Sequence, residues 1–448
     1  MDNKQVPLKE RISYGLGDTA SNLVFTMVST YLMFFYTDVF GLNVAAVGTL
    51  FLVARIIDAF DGPAIGVLID RTSTKWGKSR PYFLWLAIPF AVVAVLTFMT
   101  PDLSPSGKVI YAYATYIVLG IMYAAINIPL SSLLPSLTSS SQERTVVNTF
   151  RMVGSQIGAL IVNAAVLPLV AFFGKGNQQQ GFLYTMILFA SIAVVLFFTT
   201  FANTKERVQV NGNKPLPFKQ GVKALKGNFP WWILLFLNVI LFISLVVANQ
   251  STMYYFTYNL ERVDLVPLLN GLSSVALVGI IAVPFLAKKL GKRNTLLLGF
   301  IISSLGQIIL YLGSESVTIP MIITGRVLGM VGFGLVGGLK FAMIADTVDY
   351  GEWKSGVRAP GLLMAASTFG VKFGMGIGGA IGAWVLSAGG YVANQKQSAS
   401  ALSAIEFNFV WLPLICYIIG IIAVLFYRLD KEEAKITQDL AERHEAAV

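Results

Sequence analysis

Twelve long apolar segments make up most of this 448-residue chain, and they leave few folds open to it. Each holds about 20 or more mainly apolar residues, the length that an α-helix needs to cross the hydrocarbon core of a bilayer. A helix also satisfies its backbone hydrogen bonds internally, as lipid requires. We therefore predict an all-α polytopic membrane protein with twelve transmembrane helices. The segments lie at 12–37, 45–69, 81–100, 108–136, 148–173, 180–202, 230–259, 266–287, 294–313, 317–348, 360–387 and 404–428.

The few charged residues are distributed unevenly. They make up 12% of the chain, against about 25% in soluble globular proteins. If both termini are cytoplasmic, the inner loops and the tails carry 24 of the 33 Lys and Arg residues, and the outer loops carry four. Such an excess is typical of cytoplasmic loops. It predicts a multi-pass protein of the cytoplasmic membrane with both termini inside. It also explains the net charge of +10 without an acidic partner such as a nucleic acid.

The longest polar connection follows the sixth segment and divides the chain into two similar parts. The inner loop IDRTSTKWGKSRP at 69–81 resembles AKKLGKRN at 287–294, which lies at the equivalent place in the second part. Internal repeats of this kind are typical of transporters with two pseudo-symmetric halves. We predict an N-terminal six-helix bundle at 1–202, a cytoplasmic linker at 203–229, a C-terminal six-helix bundle at 230–428 and a cytoplasmic tail at 429–448.

The second apolar segment contains three charged residues, Arg55, Asp58 and Asp61. A charge at the centre of a bilayer costs at least ~2.5–3.5 kcal/mol, so such residues usually face protein or a watery cavity. Residues three apart are neighbours on a helix surface. Asp58 and Asp61 are therefore close enough to share a small cation or a proton, and we predict a coupling site there. The alternative is that Asp58 only neutralises Arg55.

Several ordered motifs, spread from residue 14 to residue 395, resemble those of one family. They are YGLGDTASN (14–22), YTDVFGLNVAAVGTLFLVARIIDAFDGP (36–63), KWGKSRP (75–81), Asn127-Ile128-Pro129, ADTVDYGEWKSGVR (345–358), STFGVKFG (367–374) and GGYVANQ (389–395). In them the chain resembles the glycoside–pentoside–hexuronide:cation symporters, a group of the major facilitator superfamily that includes the melibiose carrier and bacterial glucuronide and xyloside carriers. The resemblance implies the major facilitator fold and symport of a sugar by alternating access.

The resemblance also implies which molecules the chain binds. We expect a sugar or glycoside, a coupling cation and the lipid bilayer as partners, and a monomer as the functional unit. We expect no cofactor, no metal site and no enzymatic activity. A drug or lipid exporter on the same fold is one alternative, and a sugar-sensing receptor or hydrolase is a more distant one.

The resemblance assigns the coupling site to the second helix, where Asp58 matches the first acidic position of the family. The second acid departs from the pattern: Asp61 comes one residue early, and Gly62 takes its usual place. Ala124 replaces a hydroxyl of the fourth helix that helps to bind sodium in such relatives. Sodium needs several oxygen ligands, whereas a proton needs one carboxylate with a raised pKa. The only histidine, His444, lies in the tail. We therefore predict H⁺ coupling, with Na⁺ as the alternative.

The resemblance also indicates a sugar site. Asn22 and Asn127 lie where galactoside carriers of the family have carboxylates, and Arg151 and Lys372 match basic positions near the family's sugar site. Asp18 is a further carboxyl group within a span, and we predict that it belongs to the substrate site with the two asparagines, Arg151 and Lys372. In the alternative, Arg151 and Lys372 simply pair with Asp18. The two amides favour xylosides or glucuronides over melibiose-like galactosides.

Two further predictions concern the stacking ring and the cytoplasmic gate. Ser131 replaces the Trp that stacks on sugar in melibiose-type relatives, which leaves Tyr31, Phe35 and Phe373 as candidate rings. The loop after the second segment has the Gly, Asp, Arg and basic pattern of the superfamily, in which charge pairs hold the halves together on the cytoplasmic side. The gate residues predicted from this pattern are Asp70, Arg71, Lys78 and Arg80.

Overall fold

The structure is a computed structural model that describes residues 5–138, 140–207, 225–357, 359–432, 435–436, 438–440 and 442. Within these ranges it describes only the backbone at 59–64, 66–67, 70, 141–142, 341, 360–361, 365 and 431. Two predicted site residues, Asp61 and Asp70, have side chains outside this description. Most of the predicted linker also lies outside it.

The described residues form twelve long helices, which confirms the number predicted from hydropathy. Their bounds are α1 Leu8–Phe34, α2 Val44–Arg71, α3 Arg80–Thr97, α4 Pro105–Leu137, α5 Ser141–Gly174, α6 Gln178–Asn203, α7 Phe229–Tyr254, α8 Val263–Leu290, α9 Lys292–Glu315, α10 Ile319–Ser355, α11 Pro360–Ala388 and α12 Ala399–Leu425. Ten of these described helices are long and apolar enough to cross a membrane, and α1 and α2 are not among the ten. The two exceptions carry Asp18, Arg55 and Asp58.

Short polar residues determine where many of the helices begin. The side chains of Asn43, Ser104, Ser140, Asn177 and Asn228 precede α2, α4, α5, α6 and α7, and each accepts a hydrogen bond from a backbone N–H of the first turn. Residues of this kind satisfy N–H groups that have no partner within the helix. The starts of these five helices are therefore set by the polar residue that precedes each of them.

Two helices end in the same unusual way. A π-helical turn, Phe35–Val39, continues α1, and another, Tyr255–Asn259, continues α7. In both turns a threonine hydroxyl donates to the carbonyl four residues earlier, Thr37 to Met33 at 3.1 Å and Thr257 to Met253 at 2.7 Å. The first and seventh helices are equivalent in a chain made of two six-helix repeats. The shared turn is thus a structural sign of the repeat.

The chain divides into two compact units. The first consists of Met1–Asn211 together with the segments Arg262–Gly271 and Ala383–Ala401, and the rest of the chain forms the second. Both of those segments come from the part of the sequence between residues 230 and 428. Close approach of backbones holds the first unit together: a Cβ on Gly154 of α5 would lie 2.2 Å from the Gly15 carbonyl oxygen of α1. Only glycine permits this contact between α1 and α5.

Small residues have the same role in the second unit. A Cβ on Gly325 of α10 would meet the backbone of α9 at Leu310, and one on Gly374 of α11 would meet Val239 of α7. An apolar core of side chains from α7, α9, α10 and α12 surrounds Phe300, which is fully buried. Glycine spacing in these apolar helices therefore serves packing, as is common within membranes.

In the first unit, the loop before α3 is fastened to the end of α6. The Glu206 carboxylate accepts hydrogen bonds from the backbone N–H groups of Lys78, Ser79 and Arg80, at 2.9, 2.8 and 3.0 Å. The Arg80 guanidinium donates to the Phe201 carbonyl in the last turn of α6, at 2.7 Å. Gly77 has a φ of 107°, and a Cβ there would collide with the Glu206 carboxylate.

The second unit repeats this fastening with different residues. Asp430, just after α12, accepts a hydrogen bond from the backbone N–H of Arg293 at 2.7 Å. The Arg293 guanidinium donates to the Val424 and Leu425 carbonyls at the end of α12. Gly291, with a φ of 82°, directly precedes Lys292 at the start of α9, as Gly77 directly precedes Lys78 in the first unit. The similarity of the two inner loops in sequence therefore reflects one local structure that occurs twice.

Candidate functional site

An ion pair between α1 and α5 forms one part of the candidate site in the first unit. The Nε atom of Arg151 lies 3.4 Å from Oδ1 of Asp18, and its Nη1 atom donates to the Ser131 hydroxyl of α4 at 3.0 Å. The Arg151 side chain is 23% exposed and the Asp18 side chain is 12% exposed. Two of the predicted substrate residues thus lie together, in a geometry that also fits the alternative in which Arg151 only pairs with Asp18.

The two predicted asparagines lie on the helices that flank this ion pair. Asn22 of α1 donates one amide N–H to the Asp18 carbonyl, and Asn127 of α4 donates one to the Tyr123 carbonyl, both at 2.9 Å. An amide has two N–H donors and one carbonyl acceptor. These local bonds use one N–H of each amide.

An aromatic pair lies one helical turn from each asparagine. The rings of Phe25 and Tyr123 stack at a centroid distance of 5.2 Å and an interplanar angle of 27°. Both residues are partly exposed. The sequence analysis did not single them out, although Phe25 follows Asn22 by three residues and Tyr123 precedes Asn127 by four.

The three aromatic residues predicted from the sequence to stack on sugar differ in how exposed their rings are. Tyr31 and Phe35 are fully buried, so the structure presents neither ring face to a ligand. Tyr31 instead accepts a hydrogen bond from Asn270 at 3.2 Å. Phe373 is 46% exposed and belongs to the second unit, as does the predicted substrate residue Lys372.

A second charged cluster lies between α2 and α4. Nη1 of Arg55 lies 2.6 Å from Oδ2 of Asp58, and Nη2 donates to the Tyr116 hydroxyl of α4 at 3.4 Å. A Cβ on Gly120 would lie 3.0 Å from Oδ1 of Asp58, so the backbone of α4 lies close to the carboxylate. Sequence reasoning missed Tyr116 and Gly120, because single tyrosines and glycines are ordinary in an apolar helix.

The surroundings of Ala124 help to decide whether the predicted coupling site could bind Na⁺ rather than H⁺. Ala124 is buried in an apolar cluster with Ile65 and Ile69 of α2. The place where sodium-coupled relatives were expected to have a hydroxyl is therefore a methyl group that clusters with two isoleucines, and Tyr82 packs against the same cluster. Asp61, the other predicted carboxylate of α2, has its side chain outside the described part of the chain.

The predicted gate residues lie at the loop between α2 and α3. Arg71 is exposed at the end of α2, and Lys78 and Arg80 take part in the contacts with Glu206 described above. The Asp70 side chain is outside the description. In the second unit, Lys292 pairs with Asp346 at 2.6 Å. The structure thus shows fastenings within each unit, and the gate assignment stays a prediction.

The chain is similar to transporters along nearly its whole length. A family model described as MFS/sugar transport protein matches residues 13–431. The chain is 52% identical to the isoprimeverose transporter of Lactiplantibacillus pentosus, over 98% of this chain and 92% of that protein. It is 34% identical to the putative glycoside/cation symporter YagG of Escherichia coli strain K12, over 99% of this chain and 96% of that protein.

The fold is similar to that of solved transporters. A bacterial homologue of the human lysosomal transporter Spinster, solved in an inward-facing and unoccupied conformation, matches with a TM-score of 0.69 and 13% identity. The match covers 95% of this chain and 97% of that one. This likeness supports the fold alone, and it confirms the major facilitator fold that the motifs predicted.

Proposed function

Since the chain belongs to the MFS/sugar transport protein family, we propose that it imports a glycoside, pentoside or hexuronide together with H⁺. Within that range the proposed substrate is a xyloside, a choice supported by the name of the 52% identical relative and by the amides at Asn22 and Asn127. It is a multi-pass membrane protein, and we place both termini in the cytoplasm and the functional unit at one chain.

One face of α4 is the observation that carries this proposal. Tyr116, Gly120, Tyr123 and Asn127 are spaced by four, three and four residues, so they form a single stripe along the helix. Tyr116 and Gly120 contact the Arg55–Asp58 cluster, while Tyr123 and Asn127 belong to the polar and aromatic groups around Arg151. Gly120 and Asn127 are separated by ~10 Å along the axis. The same rigid helix therefore contacts the proposed ion site and the proposed sugar site.

This arrangement gives a physical route for coupling. Protonation of Asp58 removes the negative charge that holds Arg55 at 2.6 Å. Arg55 also contacts Tyr116, so a change in its position acts on α4 and on the groups that α4 carries. The expected coupling free energy is ~1–3 kcal/mol. By reciprocity, sugar raises the affinity for the proton by the same factor.

The proposed sugar contacts follow from the chemistry of the groups. A guanidinium and two amides donate to and accept from neighbouring hydroxyls, and an aromatic face packs against the apolar side of a sugar ring. Arg151, Asn22 and Asn127 have the first role, and the Phe25–Tyr123 pair has the second. Asp18 orients Arg151, and Lys372 is proposed as a further substrate residue in the second unit.

The ion assignment is supported by the surroundings of Asp58. Asp58 pairs with the Arg55 guanidinium and lies close to the backbone of α4 at Gly120, and the nearby position 124 is aliphatic. Sodium requires several oxygen ligands, whereas a proton requires one carboxylate. Asp61 is proposed as the second carboxylate of the pair, and Asp70, Arg71, Lys78 and Arg80 as the cytoplasmic gate.

Uptake by cells or proteoliposomes tests the proposal directly. A panel of xylosides, glucuronides and galactosides is offered with and without Na⁺, and the pH of the medium is recorded. We expect a xyloside to alkalinise the medium equally in both conditions, because the sugar enters with a proton. Sugar uptake that requires Na⁺ and leaves the pH unchanged would replace H⁺ by Na⁺. Downhill efflux without any ion movement would favour an exporter.

A further inference from the structure

Two motifs that carry the family resemblance have no part in the site above, yet they meet in the first unit. YTDVFG contains Asp38, at the end of α1, and GGYVANQ contains Tyr391 and Asn394, in the segment that joins α11 to α12. The Tyr391 hydroxyl lies 2.6 and 2.7 Å from the two carboxylate oxygens of Asp38. The Asn394 amide donates to the Asp38 backbone carbonyl at 2.6 Å.

Asp38 is a buried carboxylate in a polar cluster. It is 6% exposed, and Tyr391 is 7% exposed. The Thr37 hydroxyl lies 2.6 Å from Oδ2 of Asp38. A buried carboxylate is stable only when hydrogen bonds replace those it loses with water. The contact with the GGYVANQ segment is therefore a specific interaction of Asp38.

The equivalent place in the second repeat shows that helix architecture does not require this carboxylate. The π-helical turn after α7 has the same threonine contact, but Tyr258 stands where Asp38 stands after α1. A carboxylate is thus unnecessary for ending a helix in this way. The Asp38 contact needs a different explanation.

The segment that Asp38 contacts has a particular place in the chain. Gly382 and Ala383 are consecutive residues of α11, yet Gly382 belongs to the second unit and Ala383–Ala401 to the first. We call Ala383–Ala401 the strap. It has an ordered form of its own, since Gln397 bonds to both backbone groups of Val392 and Ser400 donates to the Gly389 carbonyl.

Two features indicate that the strap can detach without unfolding. The side chains of Tyr391 and Asn394 bind Asp38 through hydrogen bonds, and the residues Asn394 and Val392 are exposed. Gly390 and Asn394 have φ values of 77° and 58°, so the strap turns sharply at both ends of the contact. Exposed residues are typical of segments that open locally.

We propose that the strap is a releasable fastening, held to the end of α1 by Asp38, and that its release is a required step of transport. The distribution of Lys and Arg predicts that this end of the bundle faces outside. The inference depends on the chain being a carrier that works by alternating access. It depends on neither the identity of the sugar nor that of the ion.

Reversible cross-linking tests whether release is required. Asp38 and Tyr391 are both replaced by cysteine in a Cys416→Ala background, which removes the only native thiol. A short bifunctional thiol reagent then joins the two positions. We expect cross-linked chain to lose sugar uptake and exchange, and reduction of the link to restore both. Each single-cysteine chain is the control for the reagent: its uptake is expected to be the same before and after treatment, because it has no second thiol to join. Full transport by the cross-linked chain would overturn the proposal.

A second measurement needs neither substrate nor ion, so it can fail independently of the proposed function. Ala393→Cys in the same background reports on the strap through its rate of reaction with a membrane-impermeant maleimide. Tyr391→Phe keeps the ring and removes the hydroxyl, and we expect it to raise this rate about tenfold. Tyr111→Phe is the matched control, because it also loses one hydroxyl bond in the first unit, to Leu96, away from the strap. Equal rates in all three chains would contradict a releasable fastening.

Discussion

Asp58→Asn is expected to abolish uphill accumulation of sugar while leaving sugar exchange in place. The amide has nearly the shape of the carboxylate and can still accept a hydrogen bond from Arg55, so α2 and α4 keep their contacts. It cannot take up and release a proton, so the proton gradient no longer drives the sugar. We expect the accumulation ratio to fall to about one. The measurement is uptake of labelled sugar into proteoliposomes with an imposed pH gradient, followed by exchange without a gradient.

The matched control is Asp264→Asn. Asp264 also pairs with an arginine, with 2.8 Å between its Oδ2 and Nη2 of Arg262, but its side chain is 61% exposed. An exposed ion pair contributes little to stability, because solvent screens it. This variant is therefore expected to accumulate sugar like the parent. Continued uphill accumulation by Asp58→Asn would show that Asp58 does not carry the coupling ion and would support the alternative that it only neutralises Arg55.

Arg151→Gln is expected to lower the initial rate of uptake at low sugar concentration by at least ~30-fold. Removing one partner of a fully buried charge pair costs ~2–5 kcal/mol. Since the Asp18–Arg151 pair is only partly buried, we take the lower end of that range, and each 1.4 kcal/mol corresponds to about a factor of ten. The variant loses the contacts with Asp18 and Ser131 as well as the proposed bond to sugar. Initial rates over a range of sugar concentrations give the change in kcat/KM.

The double variant Asp18→Asn with Arg151→Gln decides between the two roles of Arg151. If Arg151 only compensates the charge of Asp18, removing both charges is expected to restore uptake. If Arg151 binds the sugar, the double variant is expected to stay as impaired as Arg151→Gln. We expect the second result. Thermal unfolding of the purified variants checks that each remains folded, since a large loss of stability would account for low uptake by itself.

The positions of the helices could be predicted from hydropathy, but not all of their ends. The segment predicted at 317–348 becomes α10, which extends to Ser355. Hydropathy falls where polar residues leave the lipid, yet a helix continues in water until its backbone changes direction. For α10 that change occurs at Gly356, which has a φ of 69°. Local backbone geometry of this kind leaves little trace in a hydropathy pattern.

The site was only partly predictable for a similar reason. A charge within an apolar segment is conspicuous, so Asp18, Arg55, Asp58 and Arg151 could be identified individually, and the structure pairs them as Asp18 with Arg151 and Arg55 with Asp58. A residue whose role comes only from its contacts with another helix cannot be recognised from its residue type in the sequence. Tyr116 and Gly120 acquire a role only because α2 packs against that face of α4.

The contacts at the starts of α3 and α9, the third helix of each half, also determine when during synthesis each half can be completed. The backbone N–H of Arg80 can bond to the carboxylate of Glu206 only after a further 126 residues have been synthesised. The backbone N–H of Arg293 can bond to Asp430 only after a further 137 residues. Until then the start of α3 or α9 lacks its cap. Domains generally fold as units, the N-terminal one first. In each half, the carboxylate that completes this contact follows the sixth helix in the chain. The contact can therefore form only after that half has been synthesised in full.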